Sequence, residues 1–387
     1  MLVTFVTGSI HCFSVFLVPL ENRLGLPRAD ISLFYSFALI FLTLSVLFGY
    51  LVYDRVRPAS MIIISCTAAG MGLLISAFAN SWWTMFTGYS LLFGVANGFA
   101  YGYVLQLGGR ALQSHKGFAM AAVTAAYAVG SVCFSLILAK VIEHTSLTMA
   151  LLALAGIIIV GGNLAALGVK TTRAKYMIDE SSCDPQPATI PALRLIVPLW
   201  FAYGCSVFAG LMAIGHAAGI VQSLGGNYNI AIWGAVFIGI GSSLGGFFIG
   251  AVISRENMHK CLLRLPLISA LFLGALFFTQ SLVWSIVFLF FVGFSYGAVI
   301  SVYPFAISEF FGPALGPKVY GCVFTAWGFA GLAGPWTAGK LFDISGEYST
   351  TLLIACVIAV LSTLIYNHTK NRLTNQPDQQ SALTSQT

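Results

Sequence analysis

The stretch NIAIWGAVFIGIGSSLGGFFIGAVIS, residues 229–254, runs for 26 residues without a single charge. Wound as an α-helix at about 1.5 Å per residue, it reaches roughly 39 Å, more than the roughly 30 Å hydrocarbon core of a bilayer. A strand reading fails, because membrane strands alternate polar and apolar residues over short segments. Here the apolar character is continuous, so the segment reads as a membrane-spanning helix.

Working outward, the same pattern recurs along the chain. Apolar runs between polar punctuation predict spans at 2–20, 31–53, 59–79, 83–106, 118–141, 147–169, 194–222, 229–254, 262–283, 285–308, 319–341 and 349–368. That makes twelve helices and an all-α integral membrane protein. Composition agrees: 58% of the 387 residues are hydrophobic and 8% are charged, against about a quarter charged in a soluble domain. With lipid as solvent, backbone polar groups must be satisfied internally, which favours helices. The run from Leu2 has no basic residue before it and no small-residue cleavage site after it. It reads as the first span rather than a signal peptide.

The charges fall unevenly between alternating loops. One side holds Arg55, Arg57, Arg110, Lys116, Lys170, Arg173, Lys175, Arg194, Arg255, Lys260, Arg264, Lys318, Lys370 and Arg372; the other holds Arg23, Arg28, Lys140 and Lys340. Fourteen of the 18 basic residues thus share one side. Cytoplasmic loops carry the excess of Lys and Arg, so both termini are expected in the cytoplasm and the chain in a plasma or cell inner membrane. The net charge of +6 is then a matter of topology, and no nucleic-acid partner is expected. The eight cysteines include no CxxC pair and no metal-ligand spacing with histidine, so neither a disulfide framework nor a metal site is expected.

The chain also repeats itself. Residues 98–104 read GFAYGYV and residues 293–299 read GFSYGAV, an offset of 195. Thr124, Ala125 and Gly130 recur as Thr325, Ala326 and Gly331, and Leu24-Gly25 recurs as Leu224-Gly225. Six predicted spans separate each pair, so the two halves lie parallel, related by an axis along the membrane normal, with a substrate site between them near the midplane. The expected organisation is a six-helix bundle at 1–169, a cytoplasmic linker at 170–191, a second six-helix bundle at 192–368 and a disordered tail at 369–387. Glycines four apart (Gly94, Gly98 and Gly102; Gly241 and Gly245; Gly293 and Gly297) predict close helix approach.

Three motifs carry a family resemblance. Gly49-Tyr-Leu-Val-Tyr-Asp54-Arg55-Val-Arg57-Pro58 resembles the short cytoplasmic loop motif of the major facilitator superfamily. Span eleven, Tyr320-Gly321 through Trp327, Gly331 and Gly334-Pro335 to Asp343, resembles the monocarboxylate-porter and oxalate:formate-antiporter branch. So do His115-Lys116-Gly117-Phe-Ala119 entering span five, and Phe13-Ser-Val15-Phe16 with Pro19-Leu20-Glu21 and Arg28-Ala-Asp30-Ile-Ser32 across spans one and two. The resemblance implies alternating access by two rocking halves. It implies inter-half or gating contacts at Gly49, Asp54, Arg55 and Arg57, with Arg110 a further gating candidate. Carboxylate carriers of this branch commonly hold an ionisable residue within span eight, whereas residues 229–254 here have none, and Lys340 lies at the outer end of span eleven. That argues most strongly against a dicarboxylate cargo.

The polar residues inside spans supply the site candidates. His11 lies near the middle of span one, and Thr4, Thr7, His11 and Ser14 share one face at α-helical spacing. Polar stripes in a membrane helix face a cavity or another helix, and histidine titrates close to neutral pH. His11 is therefore a candidate to bind a carboxylate or carry a coupled proton, with Thr7 and Ser14 beside it and His216 as a second candidate. Asn97, Tyr101, Tyr296, Tyr303 and Trp327 are candidates to complete the pocket, and ordinary helix packing is the competing reading for each.

No phosphate-cradling GxxxxGK[ST] loop and no catalytic constellation is present, so neither an enzyme nor a cofactor is expected. The leading expectation is a secondary transporter of a small organic anion, most simply a monocarboxylate. Proton coupling and anion exchange are both open, as is oligomeric state. A carrier of a neutral or amphipathic solute and a non-transporting membrane sensor or scaffold are the alternatives.

Overall fold

The structure, a computed structural model, describes residues 1–53, 55–111, 116–171 and 193–374. Its elements are helical throughout. In chain order they are α1 (Leu2–Thr7), a 3-10 segment (Gly8–Val15), α2 (Leu17–Leu24), α3 (Arg28–Phe48), α4 (Tyr50–Tyr53), α5 (Pro58–Ala77), α6 (Trp82–Met85), a π-helical segment (Phe86–Phe93) and α7 (Gly94–Ala111). Then follow α8 (Lys116–His144), α9 (Leu147–Thr171), α10 (Leu193–Ser223), α11 (Tyr228–Val252), α12 (Met258–Phe278), α13 (Leu282–Ser345) and α14 (Ser349–Thr374). Ten helical stretches among the described residues are long and apolar enough to cross a membrane, or eleven when Leu2–Val15 and Leu17–Leu24, bent by 62°, count as one. Large apolar side chains stand exposed on their outer faces, among them Leu164, Phe248 and Leu271. Hydrocarbon accepts such a surface and water does not.

The predicted spans 285–308 and 319–341 both lie within α13, whose helical backbone continues for 64 residues. It cannot be straight. Trp327 donates from Nε1 to the Tyr296 hydroxyl at 2.9 Å, although 31 residues of straight helix would hold them about 46 Å apart. The chain therefore doubles back between Tyr296 and Trp327, and the predicted span 319–341 forms the returning arm.

Span one is not a single α-helix. Its middle is 3-10 wound for eight residues, Gly8–Val15, where runs beyond three or four residues are uncommon. This segment packs against α8 at backbone distance. A Cβ on Gly8 would stand 1.9 Å from the Tyr127 carbonyl oxygen, and one on Gly130 would stand 1.8 Å from that of Phe5. Only glycine permits both approaches, and together they seat the 3-10 segment on the middle of α8.

A similar seam joins α11 to α13. Cβ atoms at Gly241, Gly245, Gly293 and Gly297 would each meet a facing carbonyl oxygen at about 2.0 Å or less. The glycines expected to allow close approach thus line one seam, each against a backbone carbonyl of the facing helix. In the N-terminal half, Gly94 and Gly98 of α7 lie against Ala38 and Leu42 of α3. The repeat is also visible in the turns: Gly25 and Gly225 both take positive φ, 62° and 90°, a left-handed conformation that favours glycine.

Candidate functional site

Where the two halves of the chain face each other, a cavity of about 50 Å³ lies between α3, α7, α8 and the 3-10 segment on one side and α10, α11 and both arms of α13 on the other. One water fills roughly 10–15 Å³ on this measure, so the cavity holds several waters or one small solute. His11, Tyr101, Thr124, Tyr127 and Ser131 line it from the N-terminal half. Ser242, Tyr296, Phe324 and Trp327 line it from the C-terminal half, with Ala235, Ile238, Gly239 and Gly246 completing the wall on α11. None of the lining residues is Asp, Glu, Lys or Arg. The lining is therefore aromatic and aliphatic with small and hydroxylated residues between, and His11 is its one imidazole.

The 3-10 segment places His11 among aromatic rings. Its ring lies 5.4 Å from Tyr127 and 6.2 Å from Trp327, both edge-on, so the imidazole bridges the halves. Nδ1 sits 2.6 Å from the Tyr35 hydroxyl. Tyr35 is fully buried on α3, and its hydroxyl makes no other hydrogen bond among the described residues. A buried O–H left without an acceptor costs about 1–3 kcal/mol, so Tyr35 donates to Nδ1 and the neutral ring carries its proton on Nε2. That nitrogen has no protein partner among the described residues and is the donor offered to a cavity occupant.

Asn97 braces the site from behind. It is fully buried, its Nδ2 donates to the Thr7 carbonyl at 2.7 Å, and its Oδ1 accepts from the Tyr127 hydroxyl at 2.9 Å. A single amide thereby ties span one, α7 and α8 together and sets the orientation of Tyr127. Tyr101 packs against Tyr127 at 5.0 Å. Across the cavity, Phe324 stacks on Trp327 with ring centres 5.4 Å apart and planes 9° from parallel. The Trp327 donation to Tyr296 described above fixes the indole edge.

Four of the sequence candidates, His11, Tyr101, Tyr296 and Trp327, line this cavity. Asn97 stands behind it. Thr7 is buried with its hydroxyl donating to the Val3 carbonyl at 2.9 Å, and Ser14 is buried with its hydroxyl unpartnered among the described residues. Neither lines the cavity: the face expected for Thr7 and His11, four residues apart, assumed 3.6 residues per turn, and the 3-10 segment turns in about three. Tyr303 packs on Tyr203 at 4.4 Å, away from the cavity. His216 lies toward the end of the molecule with few basic residues, with both ring nitrogens engaged. Among the gating candidates, Gly49 packs under the Tyr53 ring, and Arg55 and Arg57 are exposed. Asp54 and the side chain of Arg110 lie outside the described residues.

Sequence reasoning passed over Tyr35, Thr124, Tyr127 and Ser131. A signal for the last three existed: they recur at three- and four-residue spacing along one face of α8. Tyr35 had none, since a lone tyrosine in an apolar span reads as packing.

Comparison with known proteins agrees with this architecture. The sequence pattern of the Major Facilitator Superfamily matches residues 1–335. An uncharacterized MFS-type transporter of Escherichia coli (strain K12), YhjX, is 25% identical, covering 85% of this chain and 83% of its own. Monocarboxylate transporter 12 of Xenopus laevis is 23% identical over 97% of this chain and 88% of its own, and the Homo sapiens protein of that name is 21% identical over 94% and 78%. Among solved structures, a bacterial homolog of the human lysosomal transporter Spinster, in an inward-facing and occupied conformation, superposes with a TM-score of 0.71. That match covers 96% of this chain and 95% of the other at 15% identity. A multi-pass helical chain, with a small-molecule cavity where its halves meet and this pattern over most of its length, belongs to the Major Facilitator Superfamily of membrane transporters.

Proposed function

We propose that this carrier moves a small monocarboxylate anion through the central cavity, with His11 as the group that meets the carboxylate or carries its coupled proton. The observation that carries the reading is the His11 environment: one imidazole, oriented by Tyr35, whose Nε2 has no partner among the described residues, in a cavity lined by none of Asp, Glu, Lys or Arg. A bare carboxylate in such a cavity is unfavourable, because burying an unpaired charge costs several kcal/mol or more. An imidazole can hold a proton beside the anion, so anion and proton together leave the cavity neutral. The cavity volume suits a solute of a few heavy atoms. The likeness to monocarboxylate transporter 12 supports the cargo class.

The proposed organisation follows the sequence expectation: a bundle at 1–169, a linker at 170–191, a bundle at 192–368 and a tail at 369–387. Both termini are cytoplasmic in this reading, and the basic-poor end faces outward. Tyr101, Tyr296 and Trp327 shape the cavity, while the 49–58 loop and Arg110 act in gating.

The test is uptake by proteoliposomes of labelled monocarboxylates of increasing chain length, with and without an imposed pH gradient. Acid outside is expected to accelerate uptake, and His11→Ala to flatten that dependence. Uptake of a neutral solute with none of the acids would overturn the cargo and favour the second reading, which rests on the uncharged α11 wall. An unchanged pH profile in His11→Ala would remove the histidine from coupling.

A further inference from the structure

The basic-poor end of the molecule is closed by contacts that obey the internal repeat. Asp343, near the end of α13, accepts with Oδ1 from the backbone N–H of Arg28 at 3.1 Å and with Oδ2 from that of Ala29 at 2.9 Å. Those are the first two residues of α3, in the opposite half. Glu143 stands 200 residues before Asp343, near the end of α8, and accepts from Nδ2 of Asn229 at 3.2 Å. Asn229 stands 200 residues after Ala29, as the second residue of α11. Each acid therefore closes the helix of its own half onto the start of a helix in the other. The offset is the one that separates Gly25 from Gly225.

The two contacts differ in strength for a reason written in the local sequence. α3 starts after Pro27, which has no side-chain cap to offer its first N–H groups. Those donors and the positive end of the helix are open to an acid from outside. α11 starts after Asn227, whose side chain already accepts from the N–H of Ile230 at 2.9 Å. Glu143 is thus left with a side-chain amide alone.

The Asp343 contact is also reinforced. Arg28 donates from Nη2 to Glu21 at 2.9 Å and from Nη1 to the Tyr348 hydroxyl at 3.2 Å, and its guanidinium lies 4.0 Å from the Phe342 ring centre. The Tyr348 hydroxyl lies 2.9 Å from His216 Nδ1, and His216 Nε2 lies 2.8 Å from the Pro335 carbonyl and 3.2 Å from the Ser32 hydroxyl. A carbonyl only accepts, so Nε2 carries the proton and the neutral ring accepts from Tyr348. The backbones are close as well: a Cβ on Gly339 would stand 2.8 Å from the Ala29 Cα.

We propose that Asp343 and Glu143 are a pseudo-symmetric pair of latches that hold this end shut. Asp343 is the stronger, and each carboxylate must leave the opposite half's helix start before the end can open. The inference goes beyond the cargo reading and does not depend on it.

The test needs no substrate. Spin labels are placed at Asn80 and Gln280, both exposed at this end and one in each half, in a bilayer-embedded chain whose native cysteines are replaced. Pulsed electron-spin distances are then recorded. Asp343→Ala is expected to raise the open, long-distance population about five-fold, the low end of a typical coupling between sites, and Asp343→Asn by less. Glu143→Ala is expected to have a smaller effect. An independent variant, Pro27→Asp, supplies α3 with its own cap; it is expected to open the end as Asp343→Ala does and to add little to it. A distance distribution unchanged in Pro27→Asp and Asp343→Ala overturns the proposal. So does an effect of Glu143→Ala larger than that of Asp343→Ala. Should Asp343→Ala not fold, Pro27→Asp alone decides.

Discussion

Gly130→Ala is expected to disable the site without touching it. The added Cβ would lie 1.8 Å from the Phe5 carbonyl oxygen, while ordinary van der Waals contact begins near 3.4 Å. Backbone atoms cannot rotate aside, so α8 and α1 must separate by about 1.6 Å at that point. Overpacking of this kind costs about 1–3 kcal/mol. Tyr127 lies one turn along α8, so the separation draws it from His11 and strains its 2.9 Å bond to Asn97. At about 2–4 °C per kcal/mol for a unit of 150–250 residues, the melting temperature should fall by roughly 2–12 °C in detergent. Uptake should fall more steeply than the amount of folded protein. Gly156→Ala is the control, since a Cβ there meets nothing within 4 Å, and it should match the wild type in both assays. If Gly130→Ala melts and transports like Gly156→Ala, the close approach does not seat Tyr127, and the account of the site's geometry fails.

Three further outcomes can be checked in the same assays. Asn97→Ala leaves the Tyr127 hydroxyl and the Thr7 carbonyl without their partner and should cost about 1–3 kcal/mol, read as a lower melting temperature. Tyr35→Phe removes the donor to His11 Nδ1. It should reduce uptake between roughly two- and ten-fold, the range of one net hydrogen bond, with little change in melting; an unaltered uptake rate would show that the bond does not orient the ring. Trp327→Phe keeps a ring against Phe324 but loses the donation to Tyr296. It should raise KM more than it lowers the maximal rate, and the reverse pattern would count against a role for Trp327 in shaping the cavity.

Much of this architecture was legible in the sequence because lipid imposes a strong pattern. Uncharged runs such as 229–254 mark helices regardless of detail, and the repeat of GFAYG as GFSYG anticipates packing seen in the structure, where Gly98 and Gly293 each abut a neighbouring helix. His11 and Trp327 could be singled out because polar and indole groups within spans are uncommon. What could not be read is how span one is wound. Hydropathy reports which residues are apolar and not which carbonyl each N–H finds, so a 3-10 segment and an α-helix of the same composition look alike. The expectation that Thr7 stands beside His11 rested on that missing information. Tyr35 stayed hidden for a different reason: its role lies in a bond across 24 residues, which no local spacing encodes.

The winding of span one has a mechanical consequence. A 3-10 turn rises about 2.0 Å per residue and an α-turn about 1.5 Å, so the eight residues Gly8–Val15 hold about 4 Å of extra reach. The span therefore resembles an extended strut with length in reserve more than a bar of fixed length. Were those residues to rewind into α form, its ends would draw together by that distance. Each residue would also turn by about 20° against the one before it. His11 rides near the middle of the strut, so a change in its length is also a change in the direction the imidazole faces.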